Sequence, residues 1–129
     1  MKSILIIYEQ ALQPEIREMM RVHNVQGFTR FRGVSGKGSR GGQPHLGSHA
    51  WPALNDIMLL MVEDDKMQPI LDTVKEIDDK SEILGIRAFV WNIEAMVWKK
   101  ATGFLKKSYQ HFTERRRVFH KTFMSYGQK

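Results

Sequence analysis

The chain has 129 residues and no cysteine, so a single domain with a real core is expected, while a disulfide framework or a thiolate metal site is excluded. Its formal charge of +6 suggests nucleic acid only until it is divided. Residues 1–96 hold 11 Lys/Arg against 13 Asp/Glu, net −2, and residues 97–129 hold 9 against the single Glu114, net +8. The basicity belongs to the C-terminal segment, so a specific nucleic-acid surface is not expected.

Ile4 to Tyr8 is a brief β-branched-rich run, too short to span a membrane and without a small-residue cleavage site. It predicts a strand central in a covered sheet, and with the absence of cysteine it makes the cytoplasm the expected location. From Leu12 onward, Ile16, Met19, Met20 and His23 recur at helical spacing, which predicts an amphipathic helix to about Asn24 with Pro14 in its first turn and Gly27 closing the chain. Phe28 to Val34 reads as a partly exposed strand, with Arg30 and Arg32 facing one way and Thr29, Phe31 and Gly33 the other.

Ile57 to Val62 is again short and wholly apolar, a second central strand. Met67, Ile70, Leu71, Val74 and Ile77 then form an apolar helical stripe, with Asp64 or Asp65 expected as the cap and Pro69 in the first turn. Gly85 breaks the chain before Ile86 to Ile93, a strand that places Phe89, Trp91 and Ile93 on one face. The order βαββαβ predicts an α+β, ferredoxin-like sandwich, an antiparallel sheet with both helices on one face. Its open face would carry Phe89 or Trp91, which predicts association through the sheet.

The loop Gly33 to Trp51 is far longer than a hairpin needs, and loops of that length are usually functional or disordered. Gly36-x-Gly38-x-x-Gly41 matches the dinucleotide fingerprint only as text, because no helix follows it. A physical reading survives. Successive glycines let backbone N–H groups turn toward an anion, Lys37 and Arg40 add positive charge, and no carboxylate occurs from Gly33 to Leu54. Gly36, Lys37, Gly38, Ser39 and Arg40 are therefore the candidate ligand-binding stretch, and Arg87, inside the last strand, either snorkels at an edge or reaches an anion at a subunit boundary.

His45 and His49 offer two imidazoles to a divalent metal, half a site that other ligands must complete. Trp51-Pro52 is expected to plug the loop's end against the core, and His23 to be a packed or boundary residue. No cysteine nucleophile, serine elbow or P-loop is present, so a binding protein rather than an enzyme is expected.

Several stretches taken together are distinctive: Gly27-Phe28-Thr29-Arg30, Gly36-Lys37-Gly38-Ser39, Pro44-His45-x-Gly47-x-His49-x-Trp51-Pro52, Val62-Glu63-Asp64 and Arg87-Ala88-Phe89-Val90-Trp91-Asn92. Through them residues 3–96 resemble the PII-like signalling proteins, relatives of the nitrogen-regulatory P-II proteins, and in particular a short-loop group. The resemblance implies a homotrimer with sheets facing inward, small ligands held in clefts between subunits, and a loop that acts on a partner. It also implies an adenine nucleotide as ligand, with Gly36, Lys37 and Gly38 inheriting the role of holding phosphates. The pattern departs from classical members at Ser81-Glu82-Ile83-Leu84-Gly85, which replaces their glycine-rich loop before the last strand, and their basic segment after that strand is not recognisable. The CutA-type divalent-cation-tolerance proteins share a related trimeric fold, so metal binding at His45 and His49 is the alternative.

These readings divide the chain into a domain over 1–96 and a basic extension over 97–129. Trp98, Ala101, Leu105, Phe112, Phe119, Phe123 and Tyr126 fall at helical spacing, which predicts an amphipathic helix. Packed on its own core or on a neighbouring subunit it would be structural; otherwise its charge suits an anionic membrane surface, an acidic protein partner or nonspecific nucleic acid, the first two making the chain an adaptor.

Overall fold

The computed structural model describes residues 1–38 and 42–98, and Met1–Glu94 form one compact unit. Strand β1 (Lys2–Glu9) runs through a short 3-10 turn (Gln10–Leu12) into helix α1 (Gln13–Val22). Strands β2 (Phe28–Val34) and β3 (Asn55–Val62) flank the long loop. Helix α2 (Asp64–Lys80) and strand β4 (Ile86–Asn92) follow. The sheet order is β2-β3-β1-β4 with every neighbouring pair antiparallel, the ferredoxin-like arrangement. The two wholly apolar runs occupy the two central positions, as a strand with backbone partners on both sides and cover on one face requires.

Alternation then sorts the side chains. Ile4, Ile6 and Tyr8 of β1 and Met58, Leu60 and Val62 of β3 pack beneath Ile16, Met19 and Met20 of α1 and Ile70 and Val74 of α2. All are buried, most of them completely. The two helices are joined by His23, whose Nε2 lies 2.7 Å from Thr73 Oγ1, so His23 is the boundary residue expected of it.

Three local details differ from the sequence reading. Helix α1 ends by placing Asn24 at φ 50 rather than by using Gly27. The Asn24 N–H donates to Arg21 O at 3.2 Å and the Val25 N–H to Met20 O at 2.8 Å, a Schellman arrangement in which asparagine tolerates the left-handed conformation. Pro69 lies inside α2 rather than in its first turn, because the helix already starts at Asp64. Neither Asp64 nor Asp65 caps it: Glu63 is the N-cap and makes no side-chain cap bond, while the two aspartates place negative charge in the first turn, where the helix dipole favours it.

The opposite face of the sheet carries Leu5, Ile7, Ile57 and Leu59, with Phe31, Met61, Phe89 and Trp91 around them. The last four are each close to half exposed. The helix predicted over 97–129 lies outside the described residues except at Val97 and Trp98, both exposed. Among the described residues no helix is long and apolar enough to cross a membrane.

Candidate functional site

The loop leaves β2 through a β-bulge. Phe31 pairs with Ile57 and Val34 with Asn55, so β2 advances one residue more than β3. Gly33 sits in the bulge at φ +64, a conformation glycine adopts without strain. Its N–H donates to Asp56 Oδ1 at 2.9 Å. The same carboxylate accepts from Gln10 Nε2 at 2.8 Å, from Arg30 Nε at 2.9 Å and from Arg30 Nη2. Asp56 is fully buried on the helix-covered side. Burial alone would push its carboxyl up, but the hydrogen bonds from Gln10, the Gly33 N–H and Arg30 outweigh that and hold it below the usual carboxylate range. Burial likewise raises the neighbouring Tyr8 phenol.

The returning limb is held from the other side of β3. Gly36 and His45 exchange two backbone hydrogen bonds, each 2.8 Å, and His45 Nδ1 lies 2.6 Å from Asn55 Oδ1. Beyond His45, Gly47 adopts φ +62, and a Cβ added there would lie 2.9 Å from Leu54 Cδ2, so only glycine fits. Gly47 N–H donates to Ala53 O at 3.1 Å and Ser48 N–H to Trp51 O at 3.0 Å, closing a second small turn. Trp51 and Pro52 are exposed rather than plugged against the core; the residue packed beneath the loop is the partly buried Leu54. The described parts of the loop are therefore tied down at both limbs.

Between the loop and β4 lies a cavity of about 300 Å³ lined by Gly38, Gln43, His45, Asn55, Asp78 and Arg87, among others. Three residues singled out from sequence thus meet at one place: Gly38, His45 and Arg87. The approach of Gly38 to Arg87 is close, because a Cβ on residue 38 would stand 3.3 Å from Nη2. Among the described residues the Arg87 guanidinium makes no side-chain hydrogen bond or ion pair. Gly36 forms the bridge to His45 and does not line the cavity, and Lys37 is exposed beside Gly38. Ser39 and Arg40 lie outside the described residues. His49 is exposed and is not among the lining residues. Among the described residues no group of three or more His, Asp or Glu is arranged to hold a metal ion.

Sequence reasoning missed Asp56, Asn55, Gln43 and Asp78. A signal for Asp56 did exist: its parity with Met58, Leu60 and Val62 places it on the buried side of the strand, where a charge needs partners. A larger depression of about 990 Å³ lies on the helical side, lined by Met19, Val22, Ile77 and Ile83 with Glu15 and Glu76 at its edge. The cation on its lining, Lys80, shares that lining with the carboxylates of Glu15, Glu18, Glu76 and Glu82, so the smaller cavity is the better candidate for an anion despite its size.

The sequence model of the family described as nitrogen regulatory protein P-II matches residues 1–101. The chain belongs to that family. Among solved structures, its fold is similar to that of CPII from Thiomonas intermedia K12, a nitrogen regulatory PII-like protein solved with ADP, AMP and bicarbonate. Identity there is 19%, the TM-score is 0.56, and the alignment covers 73% of this chain and 88% of that one. A protein from Thermus thermophilus, described as a putative PII-like signaling protein, aligns at 24% identity and TM-score 0.53, covering 71% of this chain and 85% of that one. The apo form of CPII aligns at 15% identity and TM-score 0.51, covering 71% of this chain and 89% of that one. At these identities the structural likeness speaks for the fold. No curated protein matches the chain.

Proposed function

We propose that this P-II family protein is a regulatory binding protein rather than an enzyme, that it takes a small anionic ligand in the cavity between the loop and β4, and that the Gly33 to Trp51 loop carries the state of that cavity to a protein partner. The observation that carries the reading is the Arg87 guanidinium against Gly38, a cation beside a stretch of backbone with no side chain in the way. The half-exposed Phe31, Met61, Phe89 and Trp91 form an apolar face of the kind that subunits cover, and Arg87 shares that face of β4 with Phe89 and Trp91. We infer a homotrimer packed through the sheets, which sets the cavity in a cleft between subunits.

The ligand class to test first follows from the relative's bound molecules: an adenine nucleotide or a small oxyanion. Calorimetry of the full chain with ADP, AMP and bicarbonate, repeated on Arg87→Ala, is the deciding experiment. Saturable binding that Arg87→Ala abolishes supports the reading; no binding, or binding indifferent to Arg87, removes it.

A second reading is favoured by one contact. The Nδ1 of His45 is engaged with the Asn55 side chain, and imidazoles that ligate metals usually bond a second partner through their other nitrogen. Zinc bound through His45, with His49 and ligands from elsewhere, would be lost on His45→Ala and His49→Ala in the same titration.

A further inference from the structure

The cavity has a chemical polarity, which rests on reading it as a ligand site and sharpens what the ligand must carry. Arg87 is donor-only, whatever binds to it. Asn55 Oδ1, 2.6 Å from His45 Nδ1, is an acceptor, so Nδ1 carries the ring proton in that contact. In the tautomer with the proton on Nδ1 the ring's lone pair is on Nε2, on a residue that lines the cavity. Asp78, also on the lining, is a second acceptor. An anion with no proton to give would satisfy Arg87 and offer nothing to the acceptors of His45 and Asp78.

We propose that His45, held by Asn55, selects ligands that present a hydrogen-bond donor beside an oxyanion: a protonated oxyanion, or a phosphate or carboxylate with a neighbouring hydroxyl or amino group. Asn55 is a positioning residue in this scheme. It acts through the ring it orients, and the strand fixes it by pairing Asn55 with Glu9 and Val34. The matched ligand completes the hydrogen bonds, whereas an isostere lacking the proton gives the His45 acceptor no partner of its own.

Matched pairs of anions test this directly on the full chain, with a chelator present to exclude metal. Phosphate and sulfate differ chiefly in whether a proton remains near neutral pH, and bicarbonate and nitrate differ in the same way. Calorimetry should show the proton-bearing member of each pair binding roughly tenfold tighter, about the worth of one net hydrogen bond at the upper end of its range. Asn55→Asp places a carboxylate on the Nδ1 proton, favours the doubly protonated ring and, because Nε2 then donates, should abolish the preference. Asn55→Leu should lose it while both members still bind weakly through Arg87. Equal affinities within the pairs for the unmodified protein overturn the proposal and leave the anion site standing; this arm needs no variant to fold. A preference that survives Asn55→Leu overturns the role of Asn55. If none of the four anions binds, the proposal is overturned, and a parallel titration with AMP then tells whether the ligand site falls with it.

Discussion

Asp56 and Asn55 are neighbours in β3 whose side chains leave the sheet on opposite faces, and each pins one limb of the same loop: Asp56 takes the Gly33 N–H at 2.9 Å, Asn55 the His45 ring at 2.6 Å. The geometry of the candidate site is thus tied to the register of the central strand, where a slip of one residue would exchange the two faces.

Removing the Asp56 carboxylate should be costly. Asp56→Ala leaves Gln10, the Gly33 N–H and the partly buried Arg30 without their common acceptor, and we expect a loss of about 2–4 kcal/mol, read as a lower denaturation midpoint in urea. Arg30→Ala alone should cost less, because two neutral donors remain on the carboxylate.

The same group gives a pH dependence with a definite sign. The folded-state pKa of Asp56 lies below its unfolded value, so its contribution is fully present above about pH 4 and is lost as pH falls toward the folded value. The urea midpoint of the unmodified protein should therefore fall on acidification below about pH 4, and Asp56→Asn should show a flatter profile over the same range.

Gly47 and Gly27 make a matched pair for thermal unfolding. Gly47→Ala forces a Cβ to within 2.9 Å of Leu54 at a positive φ and should cost about 1–2 kcal/mol or more. Gly27→Ala meets nothing within 4 Å and should leave the melting temperature within about a degree or two.

Gly38→Ala is expected to behave differently from Gly47→Ala. Its Cβ, 3.3 Å from Arg87 Nη2, can be accommodated by shifting the flexible end of the arginine, so stability should hold while anion affinity falls several-fold. Equal losses in both would mean that Gly38 is structural only.

If the open sheet face is a subunit interface, Trp91→Glu should leave the monomer folded and shift sedimentation from trimer to monomer, because a charge within such an interface must be desolvated without a partner. An unmodified protein that sediments as a monomer would remove the interface.

Much of the fold was legible in sequence because it follows from period alone: Ile4 to Tyr8 and Ile57 to Val62 are too apolar and too short for anything but central strands, and the stripe from Met67 to Ile77 is helical in its spacing. The site was legible in part. Gly38, His45 and Arg87 were named for their chemistry, yet their meeting depends on pairing β4 beside β1 and on the Gly36–His45 bridge, contacts between residues far apart in the chain. Asn55 and Asp56 have the turn propensity of a strand boundary, yet β3 includes both, and parity puts Asp56 on the buried side. Trp51 misled for the opposite reason. A large apolar ring suggests an anchor, but Trp51 is exposed and Leu54 is the side chain that lies against the loop.

The bridge between Gly36 and His45 closes residues 37–44 into a ring whose ends are joined by backbone bonds alone, apart from the His45 side chain. Among the described residues neither the bulge at Gly33 nor the bridge uses a side chain between Gly36 and His45, so substitutions at Lys37, Gly42 or Gln43 should leave the strands on either side undisturbed. The strands thus set where the segment begins and ends, whatever side chains it carries there.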